Sequence, residues 1–145
     1  MFYKNALRKI RKKGECPFCI PPKNFIIFEN PKAYLTPSRA PYVKDHLLVI
    51  PKVHALVLDK LNSKEKESIL NLIVKGIDLL KKKYPAVAIE YKEGDLDKSG
   101  KTIPHLHFHL LPKMRRNESF NPGSKRRFLS EKELIKEVKR IKFMD

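Results

Sequence analysis

Between Ile103 and Pro112 the chain reads IPHLHFHLLP, which places three of its five histidines at every second position. Only an extended backbone puts alternate residues on one side. The stretch therefore predicts a strand with His105, His107 and His109 on one face and Leu106, Phe108 and Leu110 on the other. The apolar face belongs to a core. The opposite face carries three imidazoles, which need a metal or a reaction to account for them. Alternate positions lie roughly 6.6 Å apart along a strand, so one end could hold an ion while the middle serves a substrate.

The elements around this strand set the fold class. A short basic segment over residues 1–14 could form a helix ending at Gly14, and ECPFCIPP reads as a compact turn. NFIIFEN and KAYLT predict two strands around Glu29-Asn30-Pro31, and HLLVIP predicts another, stopped by Pro51. Ser63 to Lys83 is the clearest helix, with Ser63 as its cap and Ile69, Leu72, Ile73, Gly76, Leu79 and Leu80 as its apolar stripe. AVAIEY is a strand, and KEGDLDKSGKT is a polar loop leading into the histidines. Residues 113–145 comprise a basic loop and a helix that opens on a capping box, Ser130 and Glu133, with Leu134, Ile135, Val138 and Ile141 on its buried face. The expectation is one α+β domain over residues 1–145, with a largely antiparallel sheet, one long helix and a C-terminal helix.

Charge and cysteine usage narrow the chemistry. The formal charge of +16 over 145 residues would draw nucleic acid or phosphate-rich metabolites, or else reflects a solvated lysine-rich surface. No stretch approaches a membrane span and no apolar leader follows the start, so a cytoplasmic protein without membrane attachment is expected. Cys16 and Cys19 are too close to staple a domain and suggest a metal site or a redox pair. Two thiolates need two further ligands for a closed tetrahedral site, and His46, His54, His105, His107 and His109 are the candidates. A catalytic zinc held by three histidines and a water is the other arrangement this composition allows.

The run from His105 to Leu111 resembles the histidine-triad signature of the HIT superfamily. HLLVIPKVH, from His46 to His54, is similar to the strand and turn before that family's long helix. FIIFEN and AYLTPSRAP resemble its first strands, and CPFC resembles the cysteine pair of its zinc-containing bacterial and archaeal members. The resemblance implies an α+β domain that pairs into a homodimer and a structural zinc on Cys16, Cys19, His54 and His105. It further implies that His107 is a nucleophile forming a nucleotidyl-histidine. A neutral imidazole can attack phosphorus, and the cationic adduct it forms is a good leaving group. His109 would contact the phosphate or help protonate the departing group, and His46 would stand beside it. SGKTIPH resembles the small-residue phosphate cradle, with Gly100, Lys101 and Thr102 in that role. The G-x-x-x-x-G-K lead of a Walker loop is missing, and a strand follows rather than a helix.

The chain also departs from that pattern. Ser38 stands where relatives hold ribose with an acidic residue, Arg39 makes the loop basic, and Lys92 replaces a common asparagine. These changes favour a dinucleoside polyphosphate over a nucleoside phosphoramidate. The expected activity is that of a nucleotide hydrolase or nucleotidyl transferase acting at an α-phosphate. The alternatives are a protein processing a DNA or RNA 5′-adenylate, and a basic nucleic-acid-binding module on the same fold.

Overall fold

The computed structural model describes residues 16–94, 105–115 and 126–144. The basic segment expected over residues 1–14 and the cradle residues Gly100, Lys101 and Thr102 lie outside the described residues. Five strands form one antiparallel sheet: β1 (Phe28–Glu29), β2 (Ala33–Pro37), β3 (Leu47–Pro51), β4 (Ala86–Glu90) and β5 (Phe108–Lys113). Their order is β1-β2-β3-β5-β4, which sets β5 between β3 and the edge strand β4. The helices are α1 (Ser63–Lys81) and α2 (Glu131–Lys142). This is the α+β architecture expected from the sequence. No described helix is long and apolar enough to cross a membrane.

Local chemistry explains the boundaries. β1 is only two residues long and follows a 3-10 turn at Lys23–Phe25. Asn30 closes the β1–β2 hairpin, its Oδ1 accepting the N–H of Ala33 at 2.9 Å. Its Nδ2 donates to the Ser68 carbonyl oxygen at 2.9 Å, which fastens the hairpin to α1. The cap of α1 is Asn62, not Ser63: Asn62 Oδ1 accepts from Glu65 N–H and Glu65 Oε1 accepts from Asn62 N–H. A capping box needs a Glu or Gln acceptor three residues on, and Ser63 would have Lys66 there. The helix ends at Lys81, two residues early, and Tyr84 N–H closes the following turn on the Leu80 carbonyl. Ser130 and Glu133 form the expected box on α2, where Leu134, Val138 and Ile141 are buried and Ile135 is half-buried.

The main core lies between the helices and one face of the sheet. Ile69, Leu72, Ile73, Leu79 and Leu80 of α1 meet Leu35, Leu47, Val49, Leu106 and Leu110, and Val138 and Ile141 of α2 join them. A Cβ on Gly76 would stand 2.5 Å from Leu110 Cδ1, so the glycine lets α1 close onto β5. On the other face Ile26, Tyr34, Leu48 and Ile50 form a smaller cluster with Phe18 against it. The sheet thus separates a helical side from a side that carries the Cys16–Cys19 turn.

β5 takes up regular pairing only at Phe108. His105 and His107 precede it, held by the Leu106 N–H on the Ala55 carbonyl at 2.8 Å. The alternation survives this, since Leu106 and Leu110 enter the main core with Phe108 packed against it.

Candidate functional site

Four ligand atoms converge at the head of the histidine row. The side-chain donors of Cys16, Cys19, His54 and His105 all lie within 4.8 Å of one another. His54 Nδ1 is 3.0 Å from Cys19 Sγ and 3.1 Å from His105 Nδ1, and His105 Nδ1 is 3.4 Å from Cys16 Sγ. A tetrahedral zinc, with Zn–S of about 2.3 Å and Zn–N of about 2.0–2.1 Å, spaces its ligand atoms about 3.4–3.8 Å apart. The four atoms need only small shifts to reach that spacing, and two thiols with two imidazoles complete the coordination without an open position. His105 is pre-set for the task. Its Nε2–H donates to the Pro51 carbonyl oxygen at 2.9 Å, which leaves the Nδ1 lone pair toward the cysteines. Burial holds its imidazole below the ordinary value, against the opposing pull of the Pro51 carbonyl.

One step along, His107 is oriented by the backbone. Its Nδ1 is 2.7 Å from the carbonyl oxygen of His105, an acceptor only, so Nδ1 carries the proton and Nε2 the lone pair. Burial depresses its basicity, the His105 carbonyl partly restores it, and the positive charge of Lys92 lowers it again. The neutral form that can act as a nucleophile is the favoured one.

The third histidine sits in a relay of fixed hand. Tyr42 N–H donates to His46 Nδ1 at 3.2 Å, so His46 must carry its proton on Nε2. That Nε2–H meets His109 Nδ1 at 2.8 Å, so His109 in turn holds its proton on Nε2. Both rings are buried, His46 at 1% exposure and His109 at 9%. Burial, reinforced by Arg126 and His107, pushes His46 down to about 3. Burial with the charges of His107, His46, Lys92 and Arg126 pushes His109 down to about 2. His109 therefore offers a neutral N–H donor beside the lone pair of His107, the two rings standing 4.9 Å apart.

Several supporting residues carried no signal in the sequence. Tyr34 on β2 donates its hydroxyl to the Phe18 carbonyl oxygen at 2.7 Å, which anchors the cysteine turn to the sheet. The Phe18 ring meets His105 and His107 edge-on, at 5.9 and 5.4 Å between centroids. Tyr42 stacks on His109 at 5.6 Å and 18°. Asp45 stands at φ 66°, one residue before His46, with its carboxylate fully buried. It accepts from Tyr84 and Arg140 and pairs with Lys83 at 3.6 Å, which joins the end of α1 and α2 to the root of β3. Aspartate suits this backbone, because Asn and Asp are enriched among non-glycine residues at positive φ. Ser38 turns its hydroxyl back on its own loop, accepting from Ala40 N–H at 3.2 Å. A groove of about 490 Å³ opens beside Ser38 and His46, walled by Pro37, Lys44, Leu129 and Glu137.

Comparison with known proteins places this arrangement. Residues 22–116 match the HIT domain model. An uncharacterized HIT-like protein of Mycoplasma genitalium is 30% identical over 121 residues, covering 80% of this chain and 85% of that protein. The Plasmodium falciparum diadenosine triphosphate hydrolase superposes with a TM-score of 0.67 at 20% identity, over 97% of this chain and 94% of its own. A zinc-bound histidine triad family protein from Mycobacterium smegmatis superposes with a TM-score of 0.60 at 16% identity, over 96% and 92%. At those identities the two structures speak for the fold. With the matched domain covering well over half the chain, the protein belongs to the HIT family.

Proposed function

We propose that the protein is a zinc-stabilised nucleotide hydrolase or nucleotidyl transferase that attacks an α-phosphate through His107. The observation that carries this reading is the His107 geometry: Nδ1–H bound to the His105 carbonyl, Nε2 unprotonated, and the neutral donor of His109 beside it. In the first step Nε2 forms a bond to phosphorus as the bond to the leaving group breaks, giving a nucleotidyl-histidine. In the second, water or another acceptor takes the nucleotidyl group and His107 returns to its neutral form. His109 hydrogen-bonds a phosphate oxygen through Nε2–H. Being neutral, it has no spare proton to give to a leaving amine. That suits a polyphosphate leaving group, which departs as an anion, and makes a dinucleoside polyphosphate the better substrate than a phosphoramidate. The resemblance of SGKTIPH to the family's cradle gives Gly100, Lys101 and Thr102 the phosphate-binding role in this reading, with Ser38 and His46 on the nucleoside side.

Cys16, Cys19, His54 and His105 hold the zinc in a closed site. Its contribution is structural: it fixes the cysteine turn against the entry of β5. Similarity to the zinc-bound Mycobacterium smegmatis protein supports this choice of ion. The protein acts as a homodimer in the cytoplasm. Ile73 and Leu80 pack into its own core, which leaves Leu70 and Val74 of α1 and Ile89 of the edge strand exposed for a second copy.

The test is a nucleotide panel with mass spectrometry of the trapped protein. A mononucleotide adduct on His107 is expected with diadenosine triphosphate, and none in His107→Ala. Retained turnover in His107→Ala would sink the mechanism. A second reading, nucleic-acid binding, is favoured by the +16 charge and by the exposed lysines 132, 136, 139 and 142 on α2. It predicts steeply salt-dependent binding of RNA or DNA without nucleotide cleavage.

A further inference from the structure

The loop between β2 and β3 carries Tyr42, whose N–H selects the tautomer of His46, and it is held from outside. Ser38 N–H donates to the His46 carbonyl at 2.9 Å and His46 N–H to that of Val43 at 3.2 Å. Between Ala40 and Tyr42 stands Pro41, which has no N–H to give. There the segment 126–130 takes over. Arg39 donates from Nε and Nη2 to the Leu129 carbonyl at 3.2 and 3.0 Å, and Leu129 N–H returns to Arg39 at 2.7 Å. Arg126 grips either side of Pro41: its Nη1 donates to the Ala40 carbonyl at 2.9 Å, and its guanidinium lies 4.2 Å over the Tyr42 ring. That same ring stacks on His109.

We infer that Arg126 is a positioning residue for the triad, acting through Tyr42 to hold His46 and His109 each in a single tautomer. The chemistry requires an arginine. A planar guanidinium can cover a ring while donating in its own plane to a carbonyl, and an ammonium point charge cannot do both. If the Tyr42 N–H drifted from His46 Nδ1, that nitrogen could take the proton. His46 Nε2 would then meet His109 Nδ1 lone pair to lone pair, and His109 would flip its own proton to compensate. The Nε2–H that meets the phosphate would be lost. Burial is the main reason both imidazoles stay neutral, and the charge of Arg126 adds to it.

The catalytic part of this inference rests on the proposed reaction at His107, but the tautomer part does not, and the experiment separates them. Long-range 1H–15N spectra of the imidazoles are recorded for the wild-type chain, Arg126→Met, Arg126→Lys, Tyr42→Ala and the Arg126→Met/Tyr42→Ala pair. Single-turnover labelling of His107 is followed in parallel with diadenosine triphosphate. The wild type shows Nε2–H tautomers at His46 and His109. Arg126→Met mixes them and slows labelling about tenfold with unchanged half-saturation, and Arg126→Lys does not rescue it. The double variant is no slower than Tyr42→Ala, because both changes break one linkage. Intact tautomers in Arg126→Met would overturn the inference, and so would effects that multiply, since they would put Arg126 on the substrate itself. If Arg126→Met melts, Arg126→Gln carries the same expectation. Wild-type protein that shows the tautomers yet labels nowhere would refute the proposed reaction and leave the linkage standing.

Discussion

His105 supplies a ring nitrogen to the four-atom cluster and, from the same residue, the carbonyl oxygen that receives His107 Nδ1–H at 2.7 Å. In the function proposed above, one residue is thus both a zinc ligand and the orienting group of the nucleophile, and a disturbance of the cluster is expected to reach His107.

Removal of the metal should show this coupling. Chelation is expected to lower the melting temperature and slow labelling of His107 by about 10–100-fold, the usual cost of losing a support around a site. Added zinc should restore both. His105→Ala should lose the metal, whereas His107→Ala should keep it, as read by elemental analysis. Full labelling in the chelated, folded protein would show that the two roles of His105 are independent.

Tyr34→Phe deletes one hydroxyl and leaves the ring in its buried cluster. The loss of the bond to the Phe18 carbonyl should cost about 1 kcal/mol and leave that carbonyl short of a partner. Because the carbonyl belongs to the cysteine turn, the variant should also surrender zinc to a competing chelator faster than wild type. Calorimetry and a chelator competition read the two effects separately.

The His46–His109 pair makes stability fall on mild acidification. In the unfolded chain both imidazoles take up protons as the pH drops through the ordinary 6.5, whereas the folded pair stays neutral until about 3 and about 2. Their contribution is complete above pH 6.5 and is lost as the pH falls toward the folded values. The two groups together should cost roughly 3 kcal/mol between pH 6.5 and 5. Urea melts across that range would measure the slope, and His46→Asn should halve this part of it.

Asp45 titrates in a lower window. Burial alone would raise its carboxyl, but hydrogen bonds from Tyr84 and Arg140 and the charges of Arg140 and Lys83 hold it below the usual range. Its stabilisation is present above the ordinary carboxylate value near 3.8 and is lost as the pH falls through the lower folded one. Asp45→Asn tolerates the same positive φ and should cost roughly 2 kcal/mol at pH 7, with the deficit shrinking below pH 4. A deficit independent of pH would mean that shape matters at this position and charge does not.

Local patterns were the legible part of this molecule. Alternation marked the face of His105, His107 and His109, and the 3.6-residue period marked the buried side of α1. The spacing of Ser130 and Glu133 marked the start of α2. The same rule, applied to Asn62 and Glu65, would have placed the cap of α1 correctly. The late start of β5 was not legible, because it depends on where β3 ends and Ala55 captures Leu106. Tyr34, Tyr42 and Arg126 were silent for a related reason. Each acts through a backbone carbonyl or N–H, or through a ring brought near by the fold, and a backbone group has no letter in a sequence. Arg126 meets Ala40 across 86 residues.

The two-sidedness of the histidine strand imposes a parity rule on the gene. Leu47 faces Leu110 and Leu48 faces His109 across the β3–β5 ladder, so neighbouring residues of β5 belong to opposite compartments. Inserting or deleting a single codon between His105 and Leu110 would turn an imidazole into the space beneath Gly76 and place a leucine on the histidine face. Two codons would shift the row by one step and preserve the compartments. Length changes here should survive selection only in even numbers, however freely the loops on either side are rewritten.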